Sequence, residues 1–171
     1  MRNLFEKSSA VLSRCETFRY ELRRVWDDSL PPFVSGMLNP STADAERDDP
    51  TIRRNIQRAR AMGLGSLIVW NLGAGRATEP QTWKLLADPI GPENNRHIRR
   101  ILQECRDRKG VAIAGWGNHG SFMGRDIIAS QIAQNLGVQF YCLGTTKSGQ
   151  PKHPLYVSKS TVPILWTIPN T

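Results

Sequence analysis

Four short apolar runs, separated by segments of helical character, constrain this chain more than any other feature. They are "PPFVSGML" (31–38), "SLIVW" (66–70), "VAIAG" (111–115) and "QFYCL" (139–143). The first stops at Asn39-Pro40, the second at Asn71 and the third at Trp116-Gly117. Unbroken apolarity over so few residues reads as a strand buried on both faces. Between them, "DDPTIRRNIQRARAMG" carries helix signals at both ends: Asp49 as N-cap, Pro50 in the first turn and Gly63 as the stop. Ile52, Ile56, Ala59 and Met62 share one face of that helix, and Arg53, Arg54, Arg58 and Arg60 fall largely elsewhere. A short helix is expected around "QTWKLLAD". A longer one in "GPENNRHIRRILQECRD" has Ile98, Ile101, Leu102 and Cys105 in a stripe, and another runs from about Ser121 to Leu136.

Alternating strands and helices predict parallel βαβ units, with a central sheet covered on both faces. Phe18, Tyr20 and Leu22 alternate with charged neighbours in "FRYELRRVW" (18–26), as in a half-buried strand. "VPILW" near the end reads as an edge strand, where Pro163 is tolerated. No repeat or low-complexity linker divides the 171 residues, so a single domain is expected over 1–171.

Charge and cysteine usage narrow the function. Lys and Arg outnumber Asp and Glu by 23 to 15, a net charge of +8, which favours a polyanionic partner: nucleic acid first, an anionic membrane surface second. Cys15, Cys105 and Cys142 form no C-x-x-C pair, which argues against a disulfide framework or a zinc site. The opening "MRNLFEKSSAVL" has too short an apolar run for a signal peptide. No stretch approaches the ~18 apolar residues of a membrane span. The expectation is a soluble cytoplasmic protein with no cofactor, no metal, no membrane contact and no obligatory protein partner.

In parallel α/β sheets, ligands bind outside the carboxyl ends of the strands. Asn39, Asn71, the run Trp116-Gly117-Asn118-His119 and the His153 loop "TTKSGQPKHPLYV" all follow strand ends, so one rim is expected to gather them.

Taken together, "GMLNPST", "ADAERDDPTIRR", "SLIVWNLGAGRATEP", "AIAGWGNHG" and "GQPKHPLYV" resemble the bacterial and phage proteins grouped as DUF1643, over nearly the whole chain. More distantly, the motifs resemble the uracil-DNA glycosylase superfamily in the same chain order. Met37-Leu38-Asn39-Pro40 is similar to its Gly-x-Asn/Asp-Pro motif, and Asn71 to its pyrimidine-reading Asn. Trp116-Gly117 is similar to a "WG" after its third strand, and His153-Pro154-Leu155-Tyr156 to its final His-Pro-Ser-Pro. Gly36 stands one residue earlier than the family's glycine, and Leu-Tyr replaces Ser-Pro. The resemblance implies a three-layer α/β/α sandwich with a central four-stranded parallel sheet. It also implies substrate contact at Met37, Leu38, Pro40, Ser41, Asn71 and Gly117.

Cleavage of an N-glycosidic bond builds positive charge on the sugar and negative charge on the departing base. His153, held by Pro154, suits hydrogen-bond donation to a pyrimidine carbonyl and can act while neutral. Asn39 suits the orientation of a water, although an amide is a poor base. Asp44, Asp48 and Asp49 are close in sequence and are alternatives for that role, or helix-capping and turn residues. Asn71 carries a donor and an acceptor for a flipped pyrimidine, or bonds its own backbone. The glycines of "NLGAGR" would admit close backbone approach to a ligand.

Arg76, Lys147 and Lys152 are the expected phosphate contacts, with Arg76 equally readable as a solvated arginine. Leu155 or Tyr156 would wedge into the base stack, or pack as core. Trp116 reads as a packed aromatic, His97 as a surface residue, and His119 lacks partners at metal-ligand spacing. Where the strictest uracil enzymes carry a bulky Tyr, this chain has Ser41, which leaves room beside pyrimidine C5. The function expected is a DNA glycosylase for a C5-modified or mismatched pyrimidine, in foreign (phage) DNA for instance. The alternatives are a non-catalytic nucleic-acid-binding protein and an enzyme acting on free modified nucleotides.

Overall fold

A computed structural model of the chain describes residues 7–169. Seven strands occur in them: β1 (Lys7–Leu12), β2 (Arg19–Val25), β3 (Pro32–Met37), β4 (Ser66–Asn71), β5 (Val111–Ala114), β6 (Phe140–Cys142) and β7 (Ile164–Leu165). They form one sheet in the order β1-β2-β4-β3-β5-β6-β7. Strand β3 pairs parallel with β4 and β5, and β5 pairs parallel with β6. The outer pairings, β1 with β2, β2 with β4 and β6 with β7, are antiparallel. The helices are α1 (Pro50–Ala61), α2 (Pro80–Lys84), α3 (Asn94–Asp107) and α4 (Arg125–Asn135).

Strand alternation sorts the core into two layers. Phe33, Met37, Leu67, Val69 and Ile113 meet Ile52, Ile56 and Ala59 of α1 on one face. Val34, Ile68, Trp70, Ala112, Ala114 and Phe140 meet α3 and α4 on the other. Sheet and helices are thus a mixed α/β arrangement with helices on both faces. Burial of each Ile of α1 is worth roughly 1.5–3 kcal/mol, which is where that helix gets its stability.

One strand goes unannounced by the sequence, and three local expectations change. Strand β1 is an exposed edge element, and "KSSAVL" lacks the apolar alternation that would announce it. Helix α4 starts at Arg125 rather than near Ser121. Met123 (φ 55°) and Gly124 (φ 64°) are consecutive left-handed residues, which divide the 3-10 turns of Asn118–Gly124 from the α-helix. Met62 caps α1 and is exposed, so it does not complete the apolar face.

His97 is the third correction. It is only 9% exposed, with its ring stacked on Tyr20 at 4.7 Å and its Nδ1 3.0 Å from a Glu21 carboxylate oxygen. Glu21 is itself buried and also binds Arg23 at 3.0 Å and Arg100. Burial alone would push the Glu21 carboxyl up; hydrogen bonds and charge from Arg23, His97 and Arg100 outweigh it and hold it below the usual carboxylate range.

Candidate functional site

A cleft of about 530 Å³ opens beyond the carboxyl ends of β3 and β5. Its first wall is the segment that leaves β3, fastened to the segment that leaves β4 by a ladder of backbone bonds. Leu72 N–H donates to the Met37 carbonyl at 2.8 Å, Gly73 N–H to Leu38 at 3.1 Å and Ala77 N–H to Pro40 at 3.1 Å. Asn39 completes the ladder through its side chain. Its Nδ2 donates to the Ala77 carbonyl at 2.8 Å and to the Pro40 carbonyl at 3.2 Å. Both bonds use the donor end of the amide, so what this cleft-lining side chain has left to offer is an acceptor oxygen. Met37, Leu38 and Ser41 line the same wall.

Helix α1 begins at the cleft. Asp49 caps it, accepting from Ile52 N–H at 2.9 Å through one carboxylate oxygen, and Asp49, Pro50 and Thr51 all line the cavity. Asp44 and Asp48 do not. Asp44 accepts from Glu46 and Arg47 N–H at 2.8 Å each, closing a turn, and Asp48 pairs with Arg24 at 2.8 Å. Of the three neighbouring carboxylates, the fold brings one to the site.

The opposite wall comes from the loops after β5 and β6, and these are tied together. Gly117 N–H donates to the Pro151 carbonyl at 2.8 Å, Trp116 Nε1 to Gln150 Oε1 at 3.0 Å, and Gln150 Nε2 to Asp126 at 2.8 Å. A tight turn, Gly149 N–H to Thr146 C=O at 2.9 Å with Gly149 at φ 81°, then delivers His153. His153 is the N-cap of the 3-10 turn Pro154–Tyr156, its Nδ1 accepting from Leu155 N–H at 3.2 Å. Burial pushes its pKa below the ordinary 6.5, while the Asp49 carboxylate pulls the other way. The ring is therefore neutral at pH 7, with its proton on Nε2. His119 also lines the cleft, its pKa lowered by burial and then by Lys84.

The sequence-based site thus divides. Asn39, His153, Met37, Leu38, Ser41, Gly117, Leu155 and Tyr156 line one cavity, with Tyr156 84% exposed at its rim. Pro40 is buried behind it and acts through its carbonyl. Asn71 does not line it. At 1% exposure its Nδ2 and Oδ1 have no partner among the described residues, and it lies in register with Met37 on the neighbouring strand. Lys147 and Lys152 are exposed outside the cavity lining, and Arg76 reaches the Glu16 carbonyl at 3.4 Å.

The glycines after Asn71 serve packing rather than a ligand. A Cβ on Gly73 would lie 2.4 Å from Trp83, and one on Gly75 would lie 2.7 Å from Leu86. Thr42, Thr51 and Thr78 are cleft residues that sequence reasoning did not place there, and Asp49, which the sequence offered only as an alternative to Asn39 or as a cap, does line it. The N-cap signal at Asp49 was the available clue, because a helix that starts beside a strand end starts at the ligand rim.

No curated protein and no solved structure matches the chain. A family model does, over residues 19–155, a span that runs from the first residue of β2 to Leu155 and takes in both walls of the cleft. The chain belongs to the family described as "Protein of unknown function (DUF1643)".

Proposed function

We propose that the chain is a DNA glycosylase that hydrolyses the N-glycosidic bond of a flipped-out pyrimidine and leaves an abasic site. The observation that carries this reading is the meeting of Asn39, Asp49 and His153 around one cleft of about 530 Å³. That size suits a nucleoside-sized ligand. The parallel pairing of β4, β3, β5 and β6, with helices on both faces, supports a uracil-DNA glycosylase-like frame.

In this reading the N–C1′ bond breaks and its electron pair goes to the base. Nε2–H of His153 donates to the base carbonyl where that negative charge collects. A water attacks C1′ and gives its proton to Asp49, while the Asn39 carbonyl orients it. The released base anion takes a proton from solvent. Ser41 supplies space beside C5, and Tyr156 at the rim fills the gap left in the stack. Asn71 reads the base only if Met37, its neighbour in register, gives way.

The test is mass spectrometry of bases released from oligonucleotides carrying uracil, mispaired thymine or 5-substituted pyrimidines, with Asn39→Ala and His153→Ala alongside. Release from 5-substituted substrates, lost in both variants, is expected. Uracil-only release would remove the Ser41 argument. Binding without release would leave a non-catalytic nucleic-acid-binding protein, and release from free nucleotides alone a nucleotide-level enzyme.

A further inference from the structure

A second cavity, of about 290 Å³, is cationic and has no anion of its own. Arg54, Gln57, Arg58 and Ala61 line it from one face of α1, and Lys159 closes it from the segment beyond the Pro154–Tyr156 turn. No carboxylate is among its lining residues. Arg58 is only 5% exposed; its Nη2 donates to the Ser158 carbonyl at 3.1 Å, but Nε and Nη1 find no partner among the described residues. A buried guanidinium is ordinarily paired, because removing the charge from water is costly unless a counter-charge replaces it. Burial and then the neighbouring Arg54 both push the Arg58 pKa down, so the surroundings oppose its charge. What the cavity lacks is one negative group.

We infer that the Arg54–Arg58–Lys159 cavity is a binding site for a phosphoryl oxyanion. Two guanidiniums offering forked donors and one mobile ammonium suit a tetrahedral, multiply charged group. Its placement on α1 links it to the cleft. Pro50 and Thr51 line the cleft, and Arg54 and Arg58 follow one and two turns along the same helix, at about 5.4 Å per turn. The oxyanion itself does not depend on the base chemistry proposed for the cleft. Its expected source, a phosphodiester flanking a base held there, does rest on that reading. A free nucleotide would present the same chemistry.

Arg58 is too buried for its replacement to be informative alone, so the half-buried Arg54 and the exposed Lys159 carry the experiment as R54Q/K159Q. R99Q/K109Q, on and beside α3, removes equal charge as the control. Exchanging chloride for inorganic phosphate at constant ionic strength should raise the melting temperature of the wild type and of the control, but not of R54Q/K159Q. Affinity for a labelled single-stranded oligonucleotide should fall about ten-fold or more at low salt in R54Q/K159Q. The slope of log affinity against log salt should shrink by about 0.7 per cation lost.

A loss confined to a nucleoside monophosphate would support the site with a free nucleotide as its source. An unaltered phosphate response, or losses no larger than the control's, would overturn the proposal. Base release is scored separately on the same proteins. A phosphate response lost from a protein that never releases a base keeps this site and removes the cleft reading, and intact release with an unchanged phosphate response does the reverse.

Discussion

The backbone N–H of Leu155 donates to Nδ1 of His153 at 3.2 Å, which fixes the ring's tautomer and turns Nε2 into its donor. Protonation would place a second N–H against that of Leu155. The folded chain therefore resists protonation for a geometric reason as well as through burial.

The stability consequence has a definite sign. The folded His153 pKa lies below 6.5, so an unfolded ring takes its proton first as pH falls. Between those two values the unfolded state binds more protons, and stability is lost as the solution is acidified. Thermal melts from pH 7.5 to pH 5 should show a steeper loss for the wild type than for His153→Asn, whose side chain can still accept from Leu155 but does not titrate. Equal slopes would show that the imidazole is not held neutral by the fold. Base release should stay level down to 6.5 and decline only below it.

Asp49 has two duties that substitution can separate. Asp49→Asn keeps an acceptor for Ile52 N–H and should hold stability within about 0.5 kcal/mol, since Asn caps helices as well as Asp does. The same change removes the carboxylate, and single-turnover base release should drop about 10²–10⁴-fold. Asp49→Ala should lose about 0.5–2 kcal/mol in urea melts in addition. Full activity in a stable Asp49→Asn would leave the residue as a cap and nothing more.

Much of the frame is readable from local pattern. The start of α1 is written in Asp49 and Pro50, and β3 to β6 in unbroken apolar runs, because these features arise within a few residues of one another. Long-range pairing decides what is not readable. His97, among charged neighbours, reads as a solvent-facing residue until Glu21, 76 residues earlier, is brought beneath it. Arg58 carries no mark distinguishing it from Arg53 or Arg60, yet it alone of the three is buried, because the turn after His153 folds over it. The site shows the same division. Asn39 and His153 stand out as residues that follow strands, whereas the exclusion of Asn71 from the cleft depends on its packing beside Met37.

Gly36 tests the packing beneath the cleft. A Cβ there would lie 2.5 Å from Cζ2 of Trp70, whose indole is fully buried and stacked at 6.0 Å on Phe140. The ring has nowhere to retreat, so Gly36→Ala should destabilise by about 1–3 kcal/mol in urea denaturation. Trp70→Phe in the same chain should recover part of that loss, since the six-membered lobe that clashes is gone. A neutral Gly36→Ala would mean that the sheet shifts freely at this point.

Asn39 gives the least intuitive expectation. An Asp at this position would be the stronger base, and on that ground alone Asn39→Asp should accelerate the proposed reaction. The geometry argues the opposite. Asn39 is held by donation from Nδ2 to the carbonyls of Ala77 and Pro40, so a carboxylate there would face two acceptors with no proton to share. Leaving those groups unmatched costs about 1–3 kcal/mol and loosens the ladder that joins the segments after β3 and β4. Asn39→Asp should therefore melt earlier than the wild type at pH 8, recover part of the deficit at pH 5 as the new carboxyl gains a proton, and release base more slowly at both. Asn39→Ala should be as slow without the pH-dependent recovery. A stable and faster Asn39→Asp would show that the Ala77 and Pro40 contacts do not hold the side chain, and that the oxygen assigned to the water is not fixed by them.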